Sequence, residues 1–455
     1  MKTDKVALLR DTNISEALYK LGIPTMIGML VNALYNVVDA YFVGMLGTSQ
    51  VGAIVVTFPI NQVVAGVGMT FGTGAASYIS RLLGEKNYHR ANVTASTAVF
   101  GGLIFQAILI TVSIVFIEQI LLFLGATETI VTYAKEYAFI YISGTLISVF
   151  YVAMNNIVTA EGAAKQTMTA MLAGAGLNMI FDPIFIFVFN LGVSGAAWAT
   201  VLSQLATATM YIIYLLKKKG RIRISIRFVT FKKDVLGEIF KVGIPILFYQ
   251  LLFSVSQGMT NSAASKFGDP AVAAVGIVIR ILSIGTFVVY GFAKGYQPLA
   301  GYAYGAKDFP RLKSVTKLAL KWTSCFCAAF AITVAIFAQN IMKWFSLDVT
   351  VVSIGMNMLM ANSVTFVLFG FQIVCSTLFL ALGKVREGGI LSISRNGLFF
   401  IPTILILPGI IAINGVICSQ VIADFFSIIL TILLLVRLIR ELKKEESCAA
   451  TQNAA

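Results

Sequence analysis

Twelve apolar stretches, each long enough to cross a bilayer, divide the 455-residue chain, and no other feature constrains its fold so tightly. A hydrocarbon core of about 30 Å takes roughly 20 apolar residues as a helix. Lipid admits only structures that satisfy their backbone N–H and C=O groups internally. The stretches fall near 18–46, 51–83, 91–118, 128–160, 166–189, 193–217, 236–267, 271–304, 313–339, 350–382, 388–407 and 413–437. The last two are parted only by a break at Pro408-Gly409. Membrane strands would alternate in polarity, whereas these runs are continuous. With 58% hydrophobic and 12% charged residues, neither a single soluble core nor disorder fits. The expected fold class is an all-α polytopic membrane protein with twelve transmembrane helices. Residues 1–20 are polar and mixed in charge, so the first apolar run is expected to remain as a helix rather than be cleaved.

The formal net charge is +14. In a soluble protein such a balance would suggest nucleic acid; here its placement follows the helices. Of 34 Lys and Arg, 29 are assigned to the N-terminal tail, the even-numbered connections and the C-terminal tail. Only Lys135, Lys266 and Lys343 follow odd-numbered helices, and Arg280 and Lys294 lie inside a span. Basic residues gather on the cytoplasmic side. Both termini are therefore expected in the cytoplasm, in a multi-pass protein of the plasma membrane or inner membrane, with no nucleic-acid partner. Five cysteines, Cys325, Cys327, Cys375, Cys418 and Cys448, form no paired framework and read as packing thiols.

The chain also repeats itself. Gly22-Ile23-Pro24 recurs as Gly243-Ile244-Pro245, an offset of 221 residues. The same offset pairs Gly47 with Gly268, Gly74 with Gly295, Gly84 with Gly305, Lys86 with Lys307 and Gly162 with Gly383, and an offset of 220 pairs Gly195 with Gly415. The architecture implied is two homologous six-helix bundles: a first lobe over 1–217, a basic cytoplasmic linker over 218–241, a second lobe over 242–440 and a tail over 441–455. Six is even, so both halves enter the membrane from the same side. Such parallel repeats commonly bind substrate between them and rock to alternate access.

An ionisable group within a span is expensive unless paired or hydrated, and so points to function. Asn32, Asn36 and Asp39 are spaced by four and three, which places a polar stripe on the first helix. Asn178 and Asp182 stand four apart on the fifth, and Pro183 deprives Met179 of its backbone donor. Two carboxylates with amides and a free carbonyl form a set of hard oxygen ligands, suited to a proton or a small cation. The offset of 221 places Thr260 opposite Asp39, Gln257 opposite Asn36, Thr403 opposite Asp182 and Phe399 opposite Asn178. Ion coupling is thus expected in the first lobe alone. Lys294, Arg280, Gln257 and Glu161 are candidate cavity or gate residues; Arg280, Glu136 and Asp424 are candidate structural partners. No phosphate-binding loop, HExxH or aspartate-rich cluster is present in the sequence, so no enzymatic activity and no cofactor are expected.

Several segments together carry a family resemblance: Gly22-Ile23-Pro24, Asn36 to Gly47, Glu161-Gly162 with Lys165, Asn178 to Ile186, Gly195 to Thr200 and Gln297 to Gly305. In this order, on a doubled six-helix frame, the chain resembles the multidrug and toxic compound extrusion (MATE) family over nearly its whole length. The resemblance implies a V-shaped pair of lobes and drug/cation antiport. Matched by motif, the family's first-lobe cation site falls on Asp39, Asn178, Asp182 and Thr200; Thr200 enters only through the resemblance. Some members also carry acidic residues in the seventh and tenth helices. Here Gln250, Gln257, Asn261, Phe371 and Gln372 stand there instead, which agrees with a coupling site confined to the first lobe. The function expected is export of amphipathic, often cationic, organic compounds by a monomer in exchange for H+ or Na+. The alternative is a flippase for a lipid-linked oligosaccharide, which would call for several basic residues within the spans.

Overall fold

The computed structural model describes residues 5–218 and 220–454; residues 1–4, Lys219 and Ala455 lie outside it, as does the side chain of Cys448. Among the described residues, twelve helices are long and apolar enough to cross a membrane. In chain order they are α1 (Ile14–Gly44), α2 (Thr48–Gly84), α3 (Tyr88–Val115), α4 (Glu128–Ala160), α5 (Ala164–Val188), α6 (Gly192–Leu216), α7 (Lys233–Ser265), α8 (Asp269–Gly305), α9 (Phe309–Ile336), α10 (Val349–Ala381), α11 (Val385–Ile411) and α12 (Ile413–Ala454). The turns Ile184–Val188 in α5 and Ser394–Leu398 in α11 are π-helical. Short helices Ile117–Phe123 and Ala338–Phe345 follow α3 and α9, one per lobe at matching places.

The internal repeat has a physical cause at each turn. Gly47 and its counterpart Gly268 both take positive φ, as do Lys86 and Lys307, and Gly162 and Gly383. Asn87 accepts a hydrogen bond from the Arg90 N–H at the start of α3, and Asp308 does the same for Arg311 N–H at the start of α9. These are N-caps that supply an acceptor to a helix's unpaired first turn.

α1–α6 and α7–α12 form the two lobes. They meet through α1 against α8 and α2 against α7, in the halves nearest the chain termini. Here the repeated glycines allow backbones to touch. A Cβ at Gly295 would lie 2.6 Å from the Leu21 carbonyl oxygen and one at Gly74 2.3 Å from that of Ile239. Gly84 and Gly305 face the Tyr302 and Arg81 carbonyl oxygens at 2.2 and 2.1 Å from such a Cβ. Small residues at crossings permit this approach. Toward the opposite end Tyr41, Met45, Val55 and Phe58 are exposed, and the lobes part into a V.

Two sequence-based expectations shift. The last break falls at Ala412, which has φ 50, and α11 runs through Pro408-Gly409 to Ile411. Proline removes one donor without forbidding the helix geometry at its own position. Arg395, which the charge balance counts with a connection although the stretch near 388–407 contains it, lies inside α11. The bias then becomes 28 to 3, one fewer than 29, and keeps its sign.

A carboxylate pair in the first lobe

Asp39 on α1 and Asp182 on α5 come together although 143 positions separate them in sequence, because α1 packs against α5. Asp182 is wholly buried and Asp39 half-buried, and their carboxyl groups lie within hydrogen-bonding reach of each other. Asn178 Nδ2 donates to Asp182 Oδ1 at 3.3 Å, which joins the α5 pair as the i,i+4 spacing requires. Three oxygens at this place, Asp39 Oδ1, Asn178 Oδ1 and Asp182 Oδ2, are buried without a hydrogen-bond donor. Buried acceptors are nearly always satisfied, so three orphaned oxygens in one spot form an acceptor-rich site for a cation or a proton.

Beside the pair a cavity of about 60 Å³ is lined by Asn32, Tyr35, Tyr151, Asn178, Thr200 and Gln204, among others. It is water-sized rather than drug-sized. Gly174 is part of its wall and lets α5 approach α6 closely, since a Cβ there would lie 2.1 Å from Thr207 Oγ1. Asn32, Asn178 and Thr200 are thus gathered around one space, with Asp39 and Asp182 adjoining.

Other candidates lie elsewhere. Asn36 is exposed, and its amide donates to the Asn32 carbonyl oxygen of its own helix at 2.7 Å. Glu161, fully buried, accepts from the Tyr214 hydroxyl and from the backbone N–H groups of Arg221 at 3.1 Å and Ile222 at 3.2 Å. It fastens the start of the inter-lobe connection to the first lobe. Lys294 on α8 donates across the lobe boundary to Asn155 Oδ1 on α4, whose amide donates to the Tyr211 hydroxyl at 2.8 Å. Gln257 is half-buried on α7. Arg280 is exposed, and among the described residues no ion pair includes it. Asp424 pairs with Arg395 rather than Arg280, while Glu136 accepts from Ser194 at 3.4 Å. Thr260 and Thr403 bond to backbone carbonyl oxygens.

Sequence reasoning missed Tyr35 and Tyr137, whose rings lie near both carboxylates. The one signal for Tyr35 is its place three residues after Asn32 on the same helix face. Tyr137 sits on α4, three helices after Asp39 in the chain, and nothing local points to it.

The fold and this site define a two-lobed membrane transporter. The MatE family model matches residues 24–184 and 245–406, and the chain belongs to this family, the MATE transporters. Among curated proteins it is 31% identical over 448 residues to the multidrug export protein MepA of Staphylococcus aureus (strain NCTC 8325 / PS 47), covering 97% of each chain. The MepA of Staphylococcus saprophyticus is 30% identical over 443 residues, again covering 97% of each. Among solved structures, a multidrug resistance MATE family transporter of the MOP superfamily in an outward-facing conformation aligns with a TM-score of 0.92 at 29% identity, covering 97% of this chain and 99% of that one. A MATE in a bent conformation aligns at 0.91, also at 29% identity, covering 98% and 99%. These relatives support multidrug export by this chain across a membrane.

Proposed function

We propose that this protein is a secondary active exporter of amphipathic, often cationic, organic compounds, driven by exchange for H+ or Na+ at the Asp39/Asp182 pair. The observation that carries the reading is the meeting of a buried and a half-buried carboxyl group, with three orphaned oxygens, in one lobe. At the related places of the other lobe, hydroxyls are occupied by backbone. One proton can bridge two carboxylates, whereas a metal cation needs a fuller shell of oxygens; the close approach of the pair therefore favours H+. Asn178 orients Asp182, and Thr200 contributes a hydroxyl to the adjoining cavity. The resemblance to multidrug exporters supports the substrate class.

The charge bias supports cytoplasmic termini, with lobes over 1–217 and 242–440 joined by 218–241. The V then opens to the outside, and the protein works as a monomer without cofactor or enzymatic step. Ion binding shifts a two-state equilibrium only through differential affinity. Loading the pair would remove its negative charge, weaken its hold on a cationic substrate and bend α1 at Pro24, a natural soft point. A flippase is less well supported. Lys294 is engaged by Asn155 and Arg395 by Asp424, so the spans offer no cluster of uncommitted basic residues for a pyrophosphate.

Purified protein in liposomes, with proton and sodium gradients imposed separately, tests this. Asp39→Asn and Asp182→Asn should each abolish gradient-driven efflux while inserting normally, and Thr260→Ala and Thr403→Ala should keep it. Normal efflux by both aspartate variants would defeat the assignment.

A further inference from the structure

In the second lobe, Arg395 on α11 faces Asp424 on α12. Its Nε donates to Asp424 Oδ1 at 2.7 Å and its Nη2 to Oδ2 at 3.4 Å. Gln420 Nε2 donates to Oδ1 at 2.7 Å and Thr365 Oγ1 to Oδ2 at 3.4 Å. The guanidinium lies 4.4 Å from the centroid of the Phe369 ring, a cation–π contact. Every acceptor position of this carboxylate is used, unlike those of the first-lobe pair.

The internal repeat relates the two places. The offset of 221 carries Gly174 to Arg395 and Ser148 to Phe369; the offset of 220 that holds in α6 carries Thr200 to Gln420 and Gln204 to Asp424. Gly174, Thr200 and Gln204 all line the first-lobe cavity. The contact itself is preserved: residue 174 abuts α6 as residue 395 abuts α12. Where the first lobe leaves room for water or an ion, the second has a guanidinium. Arg395 also stands in the π-helical turn of α11, a distortion that often marks functional positions.

We propose that Arg395 is a covalently tethered cation, held by Asp424 at the place related by the repeat to the small polar cavity that adjoins the first-lobe carboxylate pair. The second lobe is then permanently loaded. It keeps one electrostatic state through the cycle, and only the first lobe exchanges ions. Arg suits this task because a guanidinium does not lose its proton in proteins and matches a carboxylate with two parallel donors. Asp424 accordingly takes no part in coupling while Arg395 is present, and removal of the guanidinium uncovers a latent cation site. The transport consequence rests on the first-lobe reading above; the binding consequence does not.

The test uses full-length protein in detergent with methylguanidinium chloride at millimolar concentration as the probe. Arg395→Ala strands Asp424 and should lower the melting temperature; methylguanidinium should restore several degrees in this variant. It should do so neither in wild type nor in Arg395→Ala/Asp424→Asn. Efflux by Arg395→Ala should fall at least tenfold and recover with the probe. A variant as stable as wild type, or a response to the probe equal in all three proteins, would overturn the proposal. Should Arg395→Ala fail to fold, Arg395→Met/Asp424→Leu decides, because replacing both members of a buried pair by apolar residues is commonly tolerated. It should keep ion-dependent efflux within a few-fold of wild type. A folded double variant that transports without responding to the ion would assign Asp424 to coupling and refute the tethered cation.

Discussion

Glu238→Gln should tilt the balance between the two ends of the V. Glu238 on α7 reaches across the lobe boundary to Arg81 on α2, with Arg81 Nη2 donating to its Oε2 at 2.9 Å, and it also accepts from Lys241 at 2.8 Å. The contact exists only while the lobes touch at the end bearing the termini. The side chains of Arg81 and Glu238 are 14% and 23% exposed. That places the pair between a surface bridge, worth less than about 1 kcal/mol, and a buried charged hydrogen bond, worth about 1.5–3 kcal/mol. An amide keeps the shape and loses the charge, so the closed contact should weaken by about 1–2 kcal/mol. The equilibrium should then shift toward opening at this end by about 5- to 30-fold. Spin labels at Met45 and Lys266, at the far ends of α1 and α7, report the change as a larger population of short distances. An unchanged distance distribution would refute the idea that this ion pair latches the lobes.

Gly174→Val should close the first-lobe cavity, because even a Cβ would lie 2.1 Å from Thr207 Oγ1. Overpacking of this kind costs about 1–3 kcal/mol, so the melting temperature and ion-driven efflux should both fall, while Gly176→Ala, where nothing lies within 4 Å, should leave both unchanged. Cationic substrate affinity in detergent should fall as pH falls from about 8 to 5, a range within reach of buried carboxylates. Protonation removes the charge that attracts the substrate, and by linkage substrate binding should release protons; affinity flat in both pH and sodium would contradict the exchange mechanism. Cysteine at Ser225 should resist impermeant reagents in intact cells while cysteine at Gly268 is labelled, and the reverse pattern would invert the proposed topology.

Much of this architecture is legible because its signals are repetitive. Apolar length fixes the helices, and the glycines at 74, 84, 295 and 305 recur because two lobes need the same close approach. Asp39, Asn178 and Asp182 stand out because carboxylates and amides are rare in apolar runs. Asn36, also on the α1 stripe, is exposed where Asp39 is half-buried. At about 100° per residue it lies roughly 60° around the helix from Asp39, which accounts for the difference. Arg395 falls within the apolar stretch near 388–407, yet the charge count groups it with the basic residues Lys384 and Arg386 of the preceding connection. Its partnership with Asp424 spans two helices and has no local pattern at all. Glu161 is visible as a polar residue at the end of a helix, but its hold on the backbone at Arg221 and Ile222 arises only in the folded chain.

The mutual approach of α2 and α8 at Gly84 and Gly305 has a mechanical consequence. Two backbones meet there with no side chain between them, so the joint cannot yield by rotamer changes and can serve as a fulcrum. Each helix has 37 residues, which at 1.5 Å of rise per residue makes a lever about 55 Å long. While this end stays closed and the lobes swing about this point, a rotation of about 10° displaces the far ends of such levers by about 10 Å and the fulcrum barely moves. Leverage then replaces internal deformation. A wide opening at one surface needs only a slight adjustment at the other, and a methyl group wedged into the joint would disturb the whole stroke.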